Sequence, residues 1–139
     1  MHRATVLLAD DNSAILVHVR AMLEHEPDFQ VLATIEDGPA VLPQCAALHP
    51  DVLVLDISMG DVSGIDLAAR LRDSGCISKI VFLTVHDDPD FVNAAMGAGG
   101  SAYVVKSRLN KDLIHAMHAA LSDKLFVSPT LLFDPDSQH

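Results

Sequence analysis

Four short apolar segments, each followed directly by a charged or hydroxyl residue, constrain the fold of this chain more than any other feature. They cover residues 5–9, 52–55, 80–83 and 102–105, and the residues that follow them are Asp10 with Asp11, Asp56, Thr84 and Lys106. Continuous runs of Val, Leu and Ile are typical of strands that helices cover on both faces of a parallel sheet. Because the carboxyl ends of parallel strands share one edge, we expect these polar side chains to meet there.

Segments with helical spacing separate the strands. Residues 29–35 add a further strand, and helices are predicted at 13–25, 37–48, 64–71, 88–97 and 110–122. Ser13 and Asn110 are the expected N-caps of the first and fifth helices. The alternation predicts an α/β fold with a doubly wound, five-stranded parallel sheet in the order 2-1-3-4-5. That order makes the first and third strands neighbours, so Asp11 and Asp56 would face each other.

Length, charge and composition narrow the function classes. At 139 residues, half of them apolar, the chain can bury one core, and we expect a single domain at 3–127 with a tail or the start of a linker at 128–139. The net charge of -10 argues against direct nucleic-acid binding. No apolar stretch reaches about 18 residues and no secretory signal is visible, which predicts no membrane association and a cytoplasmic location. Cys45 and Cys76 lack metal or redox spacing and are expected to be free thiols.

The predicted edge has the composition of a site for a divalent cation and a phosphoryl group. Two carboxylates about 4 Å apart repel by roughly 4 kcal/mol at an effective dielectric constant of about 20, so three converging carboxylates favour a bound cation. Oxygen ligands suit Mg²⁺ or Mn²⁺, and Asp10 and Asp11 would help to hold it. Asp56, which ends the central strand, is the candidate phosphoacceptor. Thr84 would donate a hydrogen bond to a phosphoryl oxygen, and Lys106 would pair with phosphoryl or carboxylate oxygens.

Four motifs in residues 5–127 resemble the receiver domain of two-component response regulators. They are the Asp10–Asp11 pair and the strings VLVLDISMGDVSG, IVFLTVHDD and GSAYVVKS. Their spacing and flanking residues most resemble receivers of the NarL/FixJ subfamily, which precede a LuxR-type helix-turn-helix. The resemblance implies a flavodoxin-like, CheY-like fold. Whether such a receiver stands alone or is part of a longer DNA-binding regulator is left open.

The resemblance also implies a phosphoacceptor signalling domain and not an enzyme in the usual sense. Asp56 would accept a phosphoryl group from a sensor histidine kinase, by self-catalysed transfer followed by slow autodephosphorylation. The metal would be bound by Asp11, Asp56 and the backbone at Ser58. Thr84 and Tyr103 would form the switch, acting on a surface made by the fourth helix, fifth strand and fifth helix. That surface would bind a downstream protein or output domain, or form a homodimer.

Three positions depart from the family pattern. Gly60 stands where proline is usual, which predicts a more mobile loop. Ser107 replaces a frequent proline, so a cis peptide after Lys106 is not assumed, because without proline it costs about 3 kcal/mol. Val85 is bulkier than the usual small residue, and we expect it to narrow access to the site and slow turnover.

Alternatives remain at several of these positions. Ser58 and His86, each two residues beyond a site residue, would tune hydrolysis or else be solvent-exposed. Tyr103 would be either a switch or a fixed, half-buried strand residue. For the whole domain, the alternative is a pseudo-receiver that binds a partner without phosphorylation. A phosphatase with an aspartyl-phosphate intermediate is disfavoured, because it would need a second acid where Ser58 stands.

Overall fold

A parallel sheet between two layers of helices organises the chain, which the computed structural model describes over residues 3–129. In chain order, the strands are β1 (Ala4–Ala9), β2 (Phe29–Ile35), β3 (Val52–Leu55), β4 (Ser58–Met59), β5 (Val62–Ser63), β6 (Lys79–Thr84), β7 (Ala102–Val105) and β8 (Phe126–Val127). The helices are α1 (Ser13–Glu24), α2 (Val41–Leu48), α3 (Gly64–Asp73), α4 (Pro89–Gly97) and α5 (Leu109–Leu121). Two 3-10 turns, Gly38–Ala40 and Lys106–Arg108, precede α2 and α5.

The main sheet has six strands in the order β2-β1-β3-β6-β7-β8, with every neighbouring pair parallel. The predicted α/β class and the order of the five predicted strands are confirmed, since β6 and β7 are the fourth and fifth of them. The structure adds β8 as a sixth strand. With only two residues, β8 is too short to show a hydrophobic pattern, and it forms because it pairs with the otherwise open edge of β7. β4 and β5 form a separate antiparallel hairpin.

Buried side chains fill both faces of the sheet. Leu7, Leu53 and Phe82 pack on the face covered by α2, α3 and α4. Val6 and Val54 pack on the opposite face, covered by α1 and α5. Because both faces of the central strands are covered, their sequences are mostly apolar and do not alternate regularly between apolar and polar residues.

The N-cap of α1 lies one residue earlier than predicted. Asn12 caps the helix, and its Oδ1 accepts the N–H groups of Ala14 at 3.0 Å and Ile15 at 3.4 Å. The predicted cap, Ser13, is the first helical residue. Asn12 keeps an extended backbone (φ -94°, ψ 104°) as the chain leaves β1, which places it and not Ser13 at the capping position.

Two other helix starts also differ from the predictions. Asn110 is not a cap, because the preceding 3-10 turn runs directly into α5 and the helix begins at Leu109. The Asn110 side chain instead shares a hydrogen bond of 2.7 Å with His18 Nε2 on α1. The helix predicted at 37–48 begins as a 3-10 turn that no Asp37 side chain caps, and it becomes an α-helix only at Val41.

Cys45 is buried, Cys76 is half-buried, and both are free thiols as expected. Burial raises the pKa of the Cys45 thiol to about 12, and the neighbouring Cys76 adds to the rise. Cys45 is therefore protonated and unreactive at neutral pH. No helix in residues 3–129 is both long and apolar enough to cross a bilayer.

Candidate functional site

Three carboxylates converge at the carboxyl edge of the sheet, as the sequence predicts. Oxygens of Asp10, Asp11 and Asp56 all lie within 4.8 Å of one another. Asp10 and Asp56 are 3% and 4% exposed, whereas Asp11 is exposed to solvent. The site therefore has a buried floor of two carboxylates and an open side formed by the third.

The register of the central strands places the two buried carboxylates. Ala9 of β1 pairs with Leu55 of β3, and the N–H of Asp56 donates to the carbonyl of Ala9 at 3.0 Å. Asp10 is fixed twice: its N–H donates to the Ile35 carbonyl at 3.0 Å, and its Oδ1 accepts the N–H of Asn12 at 2.9 Å. The last residue pair of two adjacent parallel strands thus positions both acids.

Within residues 3–129, Lys106 supplies the one ammonium that contacts these acids. Its Nζ lies 2.8 Å from Asp10 Oδ2 and 3.0 Å from Asp56 Oδ2, and its side chain is 13% exposed. Burial favours the neutral amine, but the hydrogen bonds to the carboxylates outweigh burial, so the pKa of Lys106 is raised. Burial also raises the pKa of Asp10, against the opposing effect of Lys106. The peptide after Lys106 is trans, like every peptide bond in residues 3–129.

Charge and donor type at this edge fit a hard divalent cation. Three carboxylates face one ammonium, which leaves an excess of negative charge among oxygens at most 4.8 Å apart. An open, oxygen-rich, acidic site of this kind suits Mg²⁺ or Mn²⁺. The three acids therefore fit either cation.

The loop after Asp56 is tied to the carboxylates by backbone N–H groups. The N–H of Ser58 donates to Asp56 Oδ1 at 3.3 Å, and the N–H of Gly60 donates to Asp11 Oδ2 at 3.0 Å. Gly60 has φ +64°, which glycine adopts without strain. At Gly64, a Cβ would lie 2.0 Å from the carbonyl oxygen of Asp56, so only glycine fits there. The greater loop mobility expected at Gly60 stays a prediction.

Thr84 and Tyr103 lie on the adjacent strands β6 and β7, and both contact the backbone of His86. Both are fully buried, and Thr84 Oγ1 accepts the N–H of His86 at 3.3 Å. The Tyr103 hydroxyl donates to the carbonyl of His86 at 2.7 Å. Burial, followed by the negative charge of Asp56, raises the pKa of Tyr103, so its hydroxyl remains a donor. Tyr103 is more deeply buried than the half-buried strand residue that was expected as the alternative to a switch.

His86 connects the site to α4. Its Nε2 shares a hydrogen bond of 2.9 Å with Ser58 Oγ, which joins two positions that the sequence analysis had selected separately. Its ring also stacks on Phe91, with 4.3 Å between centroids and 20° between planes. Sequence reasoning missed Phe91, although an aromatic residue in the first turn of α4 was an available signal. Val85 is 68% exposed, and its effect on access stays a prediction.

Comparisons with known proteins agree with this geometry. The family model described as "Response regulator receiver domain" matches residues 6–118. The chain is 34% identical over 122 residues to the nitrate/nitrite response regulator protein NarP of Escherichia coli K12, covering 87% of this chain and 57% of that protein. It is 31% identical over 129 residues to the uncharacterized transcriptional regulatory protein YvfU of Bacillus subtilis 168, covering 93% and 64%. The chain thus spans less than two thirds of either relative.

Solved structures give the same result. A LuxR-family two-component response regulator from Aurantimonas sp. SI85-9A1 superposes with a TM-score of 0.88 at 27% identity, covering 94% of this chain and 93% of that one. The isolated receiver domain of RcsB from Salmonella enterica serovar Typhimurium, with phosphomimetic BeF3-, has a TM-score of 0.85 at 27% identity, covering 94% and 96%. The chain belongs to the response regulator receiver domain family and, within it, to the NarL/FixJ subfamily.

Proposed function

We propose that this receiver accepts a phosphoryl group on Asp56 from the phosphohistidine of a sensor histidine kinase. The observation that carries the proposal is the position of the Asp56 carboxylate. Asp56 directly follows the central strand β3, and its carboxylate lies 3.0 Å from the Lys106 ammonium in a cluster with two further acids. Membership of the family supports the same role, as does the presence of an acid, a hydroxyl and an ammonium at the expected positions.

The transfer is a displacement at phosphorus. An oxygen of Asp56 attacks the phosphorus, and a P–O bond forms as the P–N bond to the kinase imidazole breaks. The electron pair of that bond returns to the ring, which leaves as neutral imidazole when its other nitrogen is protonated. Lys106, already within hydrogen-bond distance of Asp56, would balance charge on the phosphoryl oxygens, and Thr84 would donate to one of them.

The proposed cofactor is Mg²⁺ or Mn²⁺. Asp11, Asp56 and the backbone at Ser58 would hold the cation, with Asp10 beside them. When bound, the cation would neutralise negative charge on the acids and the phosphoryl oxygens. Asp11 is the most accessible of the acids, because it is exposed whereas Asp10 and Asp56 are buried. Its Oδ2 accepts the peptide N–H of Gly60.

The proposed switch is a rearrangement of Thr84 and Tyr103. Movement of the Thr84 hydroxyl toward a phosphoryl group would break its contact with the N–H of His86. The Tyr103 hydroxyl holds the carbonyl of that same residue, so both switch residues act on one peptide segment. Because His86 stacks on Phe91, displacement of this segment would be transmitted to α4.

Ser58, Val85 and His86 would set the lifetime of the aspartyl phosphate. The hydrogen bond between Ser58 Oγ and His86 Nε2 joins the residue two positions after Asp56 to the residue two positions after Thr84. This link, with the exposed Val85 beside it, would restrict the entry of water, which slows autodephosphorylation. Faster loss of phosphate from Ser58→Ala and His86→Ala would support this role.

The proposed partners follow from the family. They are the sensor kinase and a downstream protein or output domain, with no direct nucleic-acid contact by this domain. A solved relative carries the description "two RcsB dimers bound to two parallel DNAs", at 27% identity. A homodimer of this chain would use α4, β7 and α5, and because β8 covers the edge of β7, it would also involve β8. We place these events in the cytoplasm, where both cysteines would stay reduced.

Phosphorylation of the isolated protein tests the proposal. The protein would be incubated with Mg²⁺ and phosphoramidate or acetyl phosphate, and its intact mass measured. We expect one added phosphoryl group on the wild type and on Asp61→Asn, a matched loss of an exposed acid in the same loop, but none on Asp56→Asn. Absence of an adduct with either donor would favour the phosphorylation-independent module, to which the comparisons give no support.

A further inference from the structure

The residue that follows β8 is held by both its backbone and its side chain. Ser128 directly follows β8 and is 2% exposed. Its N–H donates to the carbonyl of Tyr103 at 2.9 Å, which continues the pairing of β8 with β7. Its Oγ accepts the buried N–H of Val105 at 3.2 Å. The Ser128 hydroxyl thus takes the place of the backbone carbonyl that a longer β8 would offer to Val105. Ser128 therefore satisfies the edge of β7 beyond the point where β8 ends.

The same hydroxyl is anchored to α5. Ser128 Oγ donates to Asp112 Oδ2 at 2.9 Å, and Asp112 is 5% exposed. Arg108 holds this carboxylate with two bonds, Nε to Oδ2 at 2.8 Å and one terminal nitrogen to Oδ1 at 3.2 Å. Burial alone would raise the pKa of Asp112, but hydrogen bonds from Arg108 and Ser128, with a smaller contribution from His115, lower it. The carboxylate is thus ionised and fully engaged at neutral pH.

Arg108 connects this network to the phosphorylation site. It ends the 3-10 turn that begins at Lys106, whose ammonium contacts Asp56 and Asp10. Ser128 also contacts the backbone of Tyr103 directly. Lys106, through Arg108, and the switch residue Tyr103 are therefore both connected to Ser128.

We propose that Arg108, Asp112 and Ser128 form a clamp, the exit clamp, that fixes β8 and Ser128 on β7. Phosphorylation of Asp56 would change the strength of these contacts. The coupling rests on the proposed function. A phosphoryl group would draw Lys106 away from its present carboxylate partners and so move the turn that carries Arg108. Because Arg108 holds Asp112 in two bonds, that movement would reach Ser128. The change would therefore reach the chain segment that follows β8 in sequence.

Amide hydrogen exchange of the full chain tests the clamp. Peptides that cover residues 126–129 would be compared between the wild type, Asp112→Ala and Ser128→Ala. Lys111→Ala is the control, because it removes an exposed charge from the same turn of α5. We expect the exchange rate of residues 126–129, the exit, to rise at least about tenfold in both clamp variants and to stay unchanged in the control. Unchanged protection of β1 and β3 in the same data would show that each variant remains folded.

Fluoroberyllate with Mg²⁺ would then serve as the probe for the coupling. In the wild type we expect altered exchange both at residues 56–60 and at the exit, and in the clamp variants a change at 56–60 alone. Equal exit exchange in the wild type and both variants overturns the clamp. A response at 56–60 that leaves the wild-type exit unchanged overturns the coupling. No response at 56–60 refutes the phosphoacceptor function and the coupling with it, whereas the comparison without fluoroberyllate still decides the clamp.

Discussion

Replacing Asp11 by asparagine should stabilise the metal-free protein, although it damages the proposed metal site. At 4.8 Å, each pair of like charges costs from about 0.9 kcal/mol in bulk water to about 3.5 kcal/mol at an effective dielectric constant of about 20. Asp11 is exposed and makes two such pairs, with Asp10 and Asp56. Taking the aqueous limit, and allowing for lost attraction to Lys106, we expect a net gain of about 1 kcal/mol.

The substitution should cost no hydrogen bond. Asp11 Oδ2 accepts the N–H of Gly60 at 3.0 Å, and the amide oxygen of asparagine can accept the same bond. For a domain of this size, the gain corresponds to a rise in Tm of about 3 to 5 °C. Because the repulsion is screened by salt, the rise should shrink as ionic strength increases.

Addition of Mg²⁺ should make the wild type more stable than Asp11→Asn. At ten times its dissociation constant, a ligand that binds only the folded state contributes about 1.4 kcal/mol. The wild type should therefore gain about 4 to 7 °C with Mg²⁺, whereas Asp11→Asn should lose most of that shift. Differential scanning calorimetry at low ionic strength, with and without Mg²⁺, measures both effects.

Asp61→Asn is the matched control for this experiment. Asp61 is an exposed acid of the neighbouring loop outside the carboxylate cluster, so its replacement should change neither Tm nor the Mg²⁺ shift. A lower metal-free Tm for Asp11→Asn than for the wild type would refute the electrostatic argument. Retention of the full Mg²⁺ shift by Asp11→Asn would show that Asp11 does not hold the cation.

Three further substitutions test other parts of the structure. Lys106→Met should lower the free energy of unfolding, measured in urea at pH 7, by about 3 to 5 kcal/mol. The deficit should shrink as pH falls through the raised pKa of Asp10, because protonation removes its unpaired charge. The stabilisation by Asp112, whose folded pKa is lowered, should be complete above its unfolded pKa of about 3.9 and fade below it, so Asp112→Ala and the wild type should converge in acid. Gly64→Ala should cost about 3 kcal/mol by thermal unfolding, because its Cβ meets the Asp56 carbonyl.

The arrangement of the acidic edge could be predicted because it depends on strand ends. Residues 6–9 of β1 and 52–55 of β3 are uninterrupted apolar runs, and an acid directly follows each of them. The parallel order predicts that Asp11 and Asp56 face each other, and their carboxylate oxygens do lie within 4.8 Å. The pairing of Ala9 with Leu55 shows that Asp10 is the direct neighbour of Asp56. The argument needs no side-chain detail, since topology alone brings these acids together.

The contacts that escaped prediction depend on side chains that are remote in sequence. Ser128 and Asp112 are buried polar residues that no local sequence pattern marks. Their side-chain hydrogen bonds are made to each other, to Arg108 and to the N–H of Val105. The stacking of His86 on Phe91 depends likewise on how α4 begins. At α1, Asn12 and Ser13 are both good caps, and the path of the chain from β1 decides between them.

The pairing of β8 with β7 has a practical consequence for anyone who shortens this protein. The family match ends at residue 118, inside α5, yet a chain cut there would lack both Phe126 and Ser128. Its last strand would then present bare amides to solvent, and Asp112 would lose one of its donors. Such a fragment should self-associate through that strand, so expression vectors for a minimal receiver should encode the chain through at least residue 129.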